Sequence, residues 1–232
     1  MQSLTPPDTA TAPPSAKPSS FARQAAVALA DPLIAGLAAR GVQRRYRTNA
    51  LLIQEGDCGD TLYIILSGRL RAFTADDHGK EFTLGVYGAG DYVGEMSLDG
   101  GTRSANVETL ETTLCAVVTR ETLRAYIAET PEFAFALIGR LIRRARMATE
   151  NMRSLALIDV YGRLTQLLNQ LAVEQDDGTR LIPDRITHQS MAHRVACSRE
   201  MISRLMKDLE SGGYVVQRSK RLVLLKPLPA RW

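Results

Sequence analysis

Two groups of residues in this chain have the types and spacing to do chemistry. In GEMSLDGGTRSA, residues 94–105, a Gly-Glu pair is followed eight positions after Glu95 by Arg103-Ser104. A short helical turn opening after Gly94, with Met96 in it, would aim unpaired backbone N–H groups at an anion, and a glycine there lets the backbone come close. Arg103 offers a planar fork for phosphate oxygens, Ser104 a hydroxyl donor, and Glu95 an acceptor for a ribose hydroxyl. The chemistry is capture of a phosphate and a ribose. Taken alone, the same spacing also fits a glycine turn closed by a surface ion pair.

The second group is CSREMISRLMKDLE, residues 197–210. At helical spacing, Ile202, Leu205, Met206 and Leu209 form an apolar face, and Arg199, Glu200, Ser203, Arg204 and Lys207 form the opposite one. An arginine can bond a guanine edge bidentately and a carboxylate can accept from a cytosine amino group. Thr187 caps a preceding helix over 188–195, Ala196-Cys197 makes a tight turn, and Ser198 caps the second helix, which Gly212-Gly213 ends. Two helices joined so closely predict a helix-turn-helix with the second helix presented to base edges. Beyond it, strands over 214–217 and 222–225 enclose Arg218-Ser219-Lys220-Arg221, a wing with three cations for phosphates. Charge placement agrees: residues 180–232 hold eleven Lys and Arg against four Asp and Glu, whereas the whole chain is only +4. A basic quarter on a mildly acidic remainder suits nucleic acid, although a solvated basic face has the same composition.

These groups need an element to connect them, and residues 131–158 supply it. Ile138, Ala145 and Met152 recur at one heptad position and Leu141, Ala148 and Leu155 at the other, a seam of period 3.5 that predicts a dimerisation helix. A buried core helix of a monomer would show the same apolar positions. The arginines beside the seam, Arg140, Arg143, Arg144 and Arg146, argue against burial, because such a cluster is costly to desolvate and useful beside an anionic ligand.

Upstream the period changes. Ten of the seventeen glycines lie between Gly56 and Gly101, punctuating β-rich pieces at 62–66, 70–73, 82–87 and 114–118. Many short strands at even spacing predict a small β-roll. Residues 21–40 are Ala- and Leu-rich and predict one or two short helices broken near Pro32. Residues 1–20 hold five of the ten prolines and predict a disordered tail. The expected organisation is α+β: a tail (1–20), a β-roll domain with flanking helices (21–130), a dimerisation helix (131–158) and a winged helix-turn-helix (159–232).

At 232 residues, with 45% hydrophobic and 23% charged residues, the chain has the composition of a soluble globular protein. No apolar run reaches membrane-helix length and no signal-peptide pattern opens the chain, so a cytoplasmic location without membrane contact is expected. Cys58, Cys115 and Cys197 form no CxxC pair and have no histidine at zinc spacing, which predicts reduced structural thiols and no metal. After Ala105 no segment is long enough for a catalytic domain and no nucleophile-base pattern appears, so no enzyme is expected.

Three motifs, GEMSLDGGTRSA at 94–105, LALIDVYGR at 155–163 and CSREMISRLMKDLE at 197–210, occur in an order and spacing that resembles the bacterial catabolite activator and fumarate-nitrate regulator (Crp/Fnr) family, over about residues 42–226. The resemblance implies a cyclic-nucleotide β-roll, a long dimer helix and a winged helix-turn-helix. It implies a transcription regulator that binds double-stranded DNA as a homodimer, contacts RNA polymerase, and takes a cyclic nucleotide as effector with no other cofactor. By the same resemblance Gly94, Glu95, Arg103 and Ser104 match phosphate and ribose contacts, and Arg144 matches a pocket arginine on the dimer helix. Arg199, Glu200 and Arg204 match the residues that read a TGTGA-like half-site, and Asp159 sits at the hinge, capping a helix whose packed face is Val160, Leu164, Leu167 and Leu171. Two departures bear on the effector. Ala148 stands where the cyclic-AMP receptors have an adenine-contacting threonine, with Thr149 in place of the neighbouring serine, and the loop from Glu95 to Arg103 is shorter. Some relatives respond to cyclic di-GMP, and four arginines beside the pocket suit two phosphates, although a solvated basic face fits them equally; cyclic di-GMP is expected ahead of cyclic AMP. The alternatives are a redox or gas sensor on the same scaffold, or a regulator that binds DNA without nucleotide.

Overall fold

The computed structural model describes residues 29–229. The expected tail over 1–20 and any helix before residue 29 lie outside the described residues. In chain order come helix α1 (Pro32–Ala38), strands β1 (Val42–Tyr46), β2 (Leu51–Ile53), β3 (Thr61–Ser67), β4 (Leu70–Ala75), β5 (Glu81–Tyr87) and β6 (Tyr92–Val93), and a 3₁₀ turn (Glu95–Ser97). Strands β7 (Asn106–Thr109) and β8 (Thr113–Thr119) complete the roll, followed by α2 (Arg120–Glu129) and α3 (Glu132–Leu157). The C-terminal part holds α4 (Val160–Leu171), β9 (Val173–Glu174), β10 (Arg180–Leu181), α5 (His188–Val195), α6 (Arg199–Ser211), β11 (Val215–Arg218) and β12 (Arg221–Leu224). Pro32 begins α1: its fixed φ suits the first turn, and the Asp31 carboxylate accepts from the Leu33 and Ile34 N–H groups.

The roll is two antiparallel sheets, ordered β1-β8-β3-β6 and β2-β7-β4-β5. Period-two alternation decides what each face meets. Along β3, Leu62, Ile64 and Leu66 pack with Ile34, Leu37, Leu123, Tyr126 and Phe133 from the helices, while Ile65 joins Ile53, Leu70, Val93, Val107 and Cys115 between the sheets. Strand β8 splits likewise, Ala116 and Val118 to the helices and Cys115 to the sheets. The helical layer is therefore fixed to the outer face of one sheet.

Helix α3 lays one stripe on the roll. Phe133 is fully buried, Leu137 packs on the same cluster, and Arg140 and Arg144 continue at i+7 and i+11. The heptad seam points elsewhere: Ile138, Met152 and Leu155 are 51%, 66% and 40% exposed, Ala145 and Ala148 are exposed, and Leu141 is half-buried. At about 1.5 Å per residue its 26 residues form a rod of about 39 Å. No helix among the described residues is long and apolar enough to cross a membrane.

Past Ile158, Asp159 caps α4 by accepting from the Gly162 N–H at 2.7 Å. The face that α4 buries differs from the expected one. Tyr161, Leu164 and Leu168 are its fully packed residues, with Val160, Leu167 and Leu171 at the margin. Tyr161 enters this core because its hydroxyl donates to the Pro229 carbonyl at 2.9 Å, which satisfies the polar end of an otherwise apolar side chain. Ile202, Met206 and Leu209 of α6 and Met191 and Val195 of α5 fill the rest. The wing belongs to a four-stranded sheet ordered β11-β12-β10-β9, of which sequence patterning predicts only the last two strands of the chain.

Candidate ligand pocket and nucleic-acid interface

Gly94 ends β6 at φ +95° and opens the 3₁₀ turn. A Cβ there would lie 2.6 Å from the Thr61 carbonyl oxygen and 2.8 Å from Arg103 Nη1, so glycine is required both by backbone angle and by space. The Arg103 guanidinium is buried and turned inward. Its Nη1 donates to the Gly94 carbonyl (2.9 Å) and the Ser97 hydroxyl (2.8 Å), and its Nη2 to the Thr61 carbonyl and hydroxyl (both 3.0 Å). A Cβ at Gly59 would come within 2.7 Å of the same guanidinium. In this arrangement Arg103 ties β3 to the turn, and among the described residues only its Nε–H remains without an acceptor.

Next to it, Glu95 is nearly sealed from solvent, its side chain 2% exposed. One carboxylate oxygen accepts from Arg144 Nη1, and the other, Oε2, is buried with no partner among the described residues. Arg144 also donates to the Tyr92 carbonyl and lies over the Tyr87 and Tyr92 rings at 4.7 and 5.4 Å from their centroids. Burial is the largest influence on Arg144 and works against its charge, but the Glu95 carboxylate together with the Tyr87 and Tyr92 side chains holds the guanidinium pKa above its ordinary value. Burial pushes the Tyr92 hydroxyl up to about 12, and that hydroxyl too has no partner among the described residues. Buried acceptors and hydroxyls without partners are costly, and they mark where a ligand's own polar groups would find bonds to make.

The structure thus gathers Gly94, Glu95, Arg103 and Arg144 into one connected cluster. It leaves Ser104 and Thr149 exposed at the margin, with Met96 56% exposed and the Thr149 hydroxyl donating back to the Ala145 carbonyl. The four clustered arginines, 140 to 146, divide: Arg140 bonds the Gly90 carbonyl and Asp91 and Arg144 bonds Glu95, whereas Arg143 and Arg146 are exposed. Sequence reasoning missed Thr61, Ser97, Tyr87 and Tyr92. Ser97 lies inside the quoted motif, but Thr61 is forty-two positions from Arg103, and no local pattern links them.

The second region is arranged the other way. Thr187 and Ser198 cap α5 and α6 by accepting from Ser190 and Met201 N–H groups, and Ala196 takes a left-handed conformation, φ +59°, to turn between them. Arg199, Glu200 and Arg204 are exposed and, among the described residues, have no hydrogen-bond or ion-pair partner. Ser203 is half-buried and bonds His188 Nδ1 at 3.0 Å, so its hydroxyl faces into the protein. The wing arginines stand at strand ends rather than in the enclosed loop that the sequence pattern predicts. They are paired across β11 and β12, with a two-residue turn of Ser219 and Lys220 at φ +49° and +64°. Facing like charges and left-handed non-glycine residues both cost stability. A phosphate backbone would neutralise the first of these costs.

A roll with a buried anion-type cluster, a long helix along it, and a winged helix-turn-helix with unpaired charges define a DNA-binding regulator with a ligand domain. Residues 43–130 match the cyclic nucleotide-binding domain and residues 162–228 the Crp-like helix-turn-helix domain. The chain is 34% identical over 186 residues to the cAMP-activated global transcriptional regulator CRP of Haemophilus influenzae, covering 78% of this chain and 82% of that one. It is 32% identical over 194 residues to the CRP-like protein Clp of Xanthomonas euvesicatoria, covering 78% and 83%. The solved structure of the c-di-GMP responsive global regulator CLP of Xanthomonas campestris superposes with a TM-score of 0.75 at 29% identity, over 84% of this chain and 99% of that one. The chain belongs to the Crp/Fnr family of DNA-binding transcription regulators.

Proposed function

We propose that this regulator acts in the cytoplasm as a homodimer joined along α3, and that a cyclic nucleotide, cyclic di-GMP ahead of cyclic AMP, sets its affinity for a two-fold operator. The observation that carries this reading is the Glu95–Arg144 pair, because it joins the roll to the helix that would form the dimer and leaves one buried carboxylate oxygen for a ribose hydroxyl. A ligand competing for Arg144 would shift α3 on the roll, and the Asp159-capped junction would pass that shift to α6. Gly94, Glu95, Met96, Arg103, Ser104, Arg144 and Thr149 form the ligand site in this reading. Ser198, Arg199, Glu200, Ser203 and Arg204, with Arg218, Lys220 and Arg221 of the wing, form the DNA site.

Two features favour the dinucleotide. Ala148 has no hydroxyl to offer adenine. The structurally similar CLP is described as c-di-GMP responsive. The bound dimer would also present a surface to RNA polymerase. Calorimetric titration of both nucleotides tests the reading: saturable cyclic di-GMP binding tighter than cyclic AMP is expected, and the reverse order rejects the preference. Light scattering tests the seam, since Leu155→Glu should place two charges face to face and give monomers.

A further inference from the structure

The helix-turn-helix does not hang free of the roll. Helix α5 lies against β5, and between them sits a charge cluster that the ligand and DNA sites do not use. Arg71 of β4, its side chain 13% exposed, donates from Nη2 to Glu81 of β5 at 2.6 Å and from Nε to Glu108 of β7 at 2.9 Å. Its remaining nitrogen, Nη1, crosses the domain boundary to His193 Nδ1 of α5 at 3.0 Å. Glu81 Oε2 is also 3.3 Å from that nitrogen. On its other side the His193 ring meets the Gln189 amide one turn earlier on α5.

An arginine cannot accept a hydrogen bond, so in the Arg71 contact His193 Nδ1 is the acceptor and the ring proton sits on Nε2; that nitrogen faces Gln189 Nε2, and turning the Gln189 amide end for end gives it an oxygen to donate to. We propose that Arg71, Glu81, Glu108 and His193 form a latch that holds the helix-turn-helix on the β-roll and opens on acidification.

Protonation puts N–H against N–H where Arg71 and His193 meet, and removes the one acceptor that Arg71 has across the boundary. The charged groups facing His193 are Arg71, which opposes its proton, and Glu81 and Glu108, which favour it; burial of the ring is the largest influence and opposes the proton, so the balance lowers its pKa. The docked state therefore prefers neutral His193. Docking is at full strength above the pKa of the undocked ring and is lost as pH falls through that of the docked one. A second link, Arg69 to Asp184 at 2.6 Å, is exposed and screened, so the latch is the pH-dependent part.

Amide relaxation of the full-length, ligand-free protein reads this directly, through the rotational correlation times of the roll and of the helix-turn-helix. At pH 8 the native protein should show one shared value, and at pH 5.5 two, with the helix-turn-helix faster. His193→Gln keeps an amide acceptor that does not titrate and should share one value at both pH values, which also controls for acid unfolding. His193→Ala should show two values at both. Independent tumbling of the native protein at pH 8, a single shared value at pH 5.5, or release of His193→Gln by acid would each overturn the latch.

Discussion

The proposed ligand cluster and the proposed DNA surface use the same residue types in opposite states. Glu95 and Arg103 are buried, Arg144 is half-buried, and the three are bonded to one another or to the backbone, while Arg199, Glu200 and Arg204 are exposed without partners among the described residues. A charge removed from water must be satisfied inside the protein before any ligand arrives. A charge left in water costs nothing to hold ready. A ligand in the proposed pocket would therefore exchange internal bonds for its own, one of them to Arg144 of α3, whereas the proposed DNA surface is already open. That difference suits a sensor at one end and a reader at the other.

The strongest way to break this contrast is to unpair the pocket. Arg144→Ala strands a carboxylate that is 2% exposed, and breaking such a pair should cost about 3 kcal/mol or more of stability without ligand. Urea unfolding followed in the roll measures it. A loss below about 0.5 kcal/mol would mean that Glu95 is satisfied by water and that the two regions differ less than described.

Arg103→Ala is the next largest. Four N–H bonds from a charged donor to Thr61, Gly94 and Ser97 vanish, and about 2–3 kcal/mol should be lost from the ligand-free roll. If this arginine served a phosphate alone, ligand-free stability would be unchanged and only binding would suffer. Comparing unfolding with nucleotide titration for this one variant separates those roles.

On the exposed side the order inverts. Arg199→Ala should leave stability within about 0.5 kcal/mol but erase about 1–3 kcal/mol of discrimination at one base pair. Replacing Arg218 and Lys220 by Gln should weaken operator and random DNA alike, lowering the salt slope by about 0.9 for each phosphate that is no longer neutralised. Competition binding at several salt concentrations gives both. Unchanged discrimination by Arg199→Ala would place base reading elsewhere on α6.

What is legible in the sequence follows from the range of each interaction. Caps at Asp159, Thr187 and Ser198, the two faces of α6 and the strand pieces of the roll are set within a few residues, and the structure forms each of them. The heptad positions of α3 are legible for the same reason, and all but the half-buried Leu141 stand exposed in the single chain. Arg103 reads as a fork, but its acceptors come from β3 and from the turn, and sequence distance hides such a partner. The Arg71–His193 contact, across 122 positions, leaves no trace in any periodicity. The face of α4 is misjudged from sequence because Tyr161 counts as polar until its hydroxyl finds the Pro229 carbonyl.

The smallest effect lies between the two regions, on α3. Ala148 follows Arg144 by one helical turn and is exposed in the single chain, so a side chain added there meets no core of its own chain and would face the partner helix in the proposed dimer. Ala148→Thr supplies a hydroxyl that could bond adenine, worth about 0.5–1.5 kcal/mol in cyclic-AMP binding. Two opposing influences set where in that range the result falls. Threonine is a poorer helix former than alanine by several tenths of a kcal/mol, and its hydroxyl has a competing acceptor one turn back, the option that Thr149 takes by donating to the Ala145 carbonyl. The gain should therefore sit near about 0.5 kcal/mol, a two- to threefold tighter cyclic-AMP dissociation constant by calorimetry. Cyclic di-GMP, which gains no adenine contact, should bind the variant as it binds the native chain. Equal tightening of both nucleotides would show that the substitution acts on the packing of α3 rather than on the base, and tight cyclic-AMP binding by the native chain, indifferent to the new hydroxyl, would place adenine away from this turn of the helix.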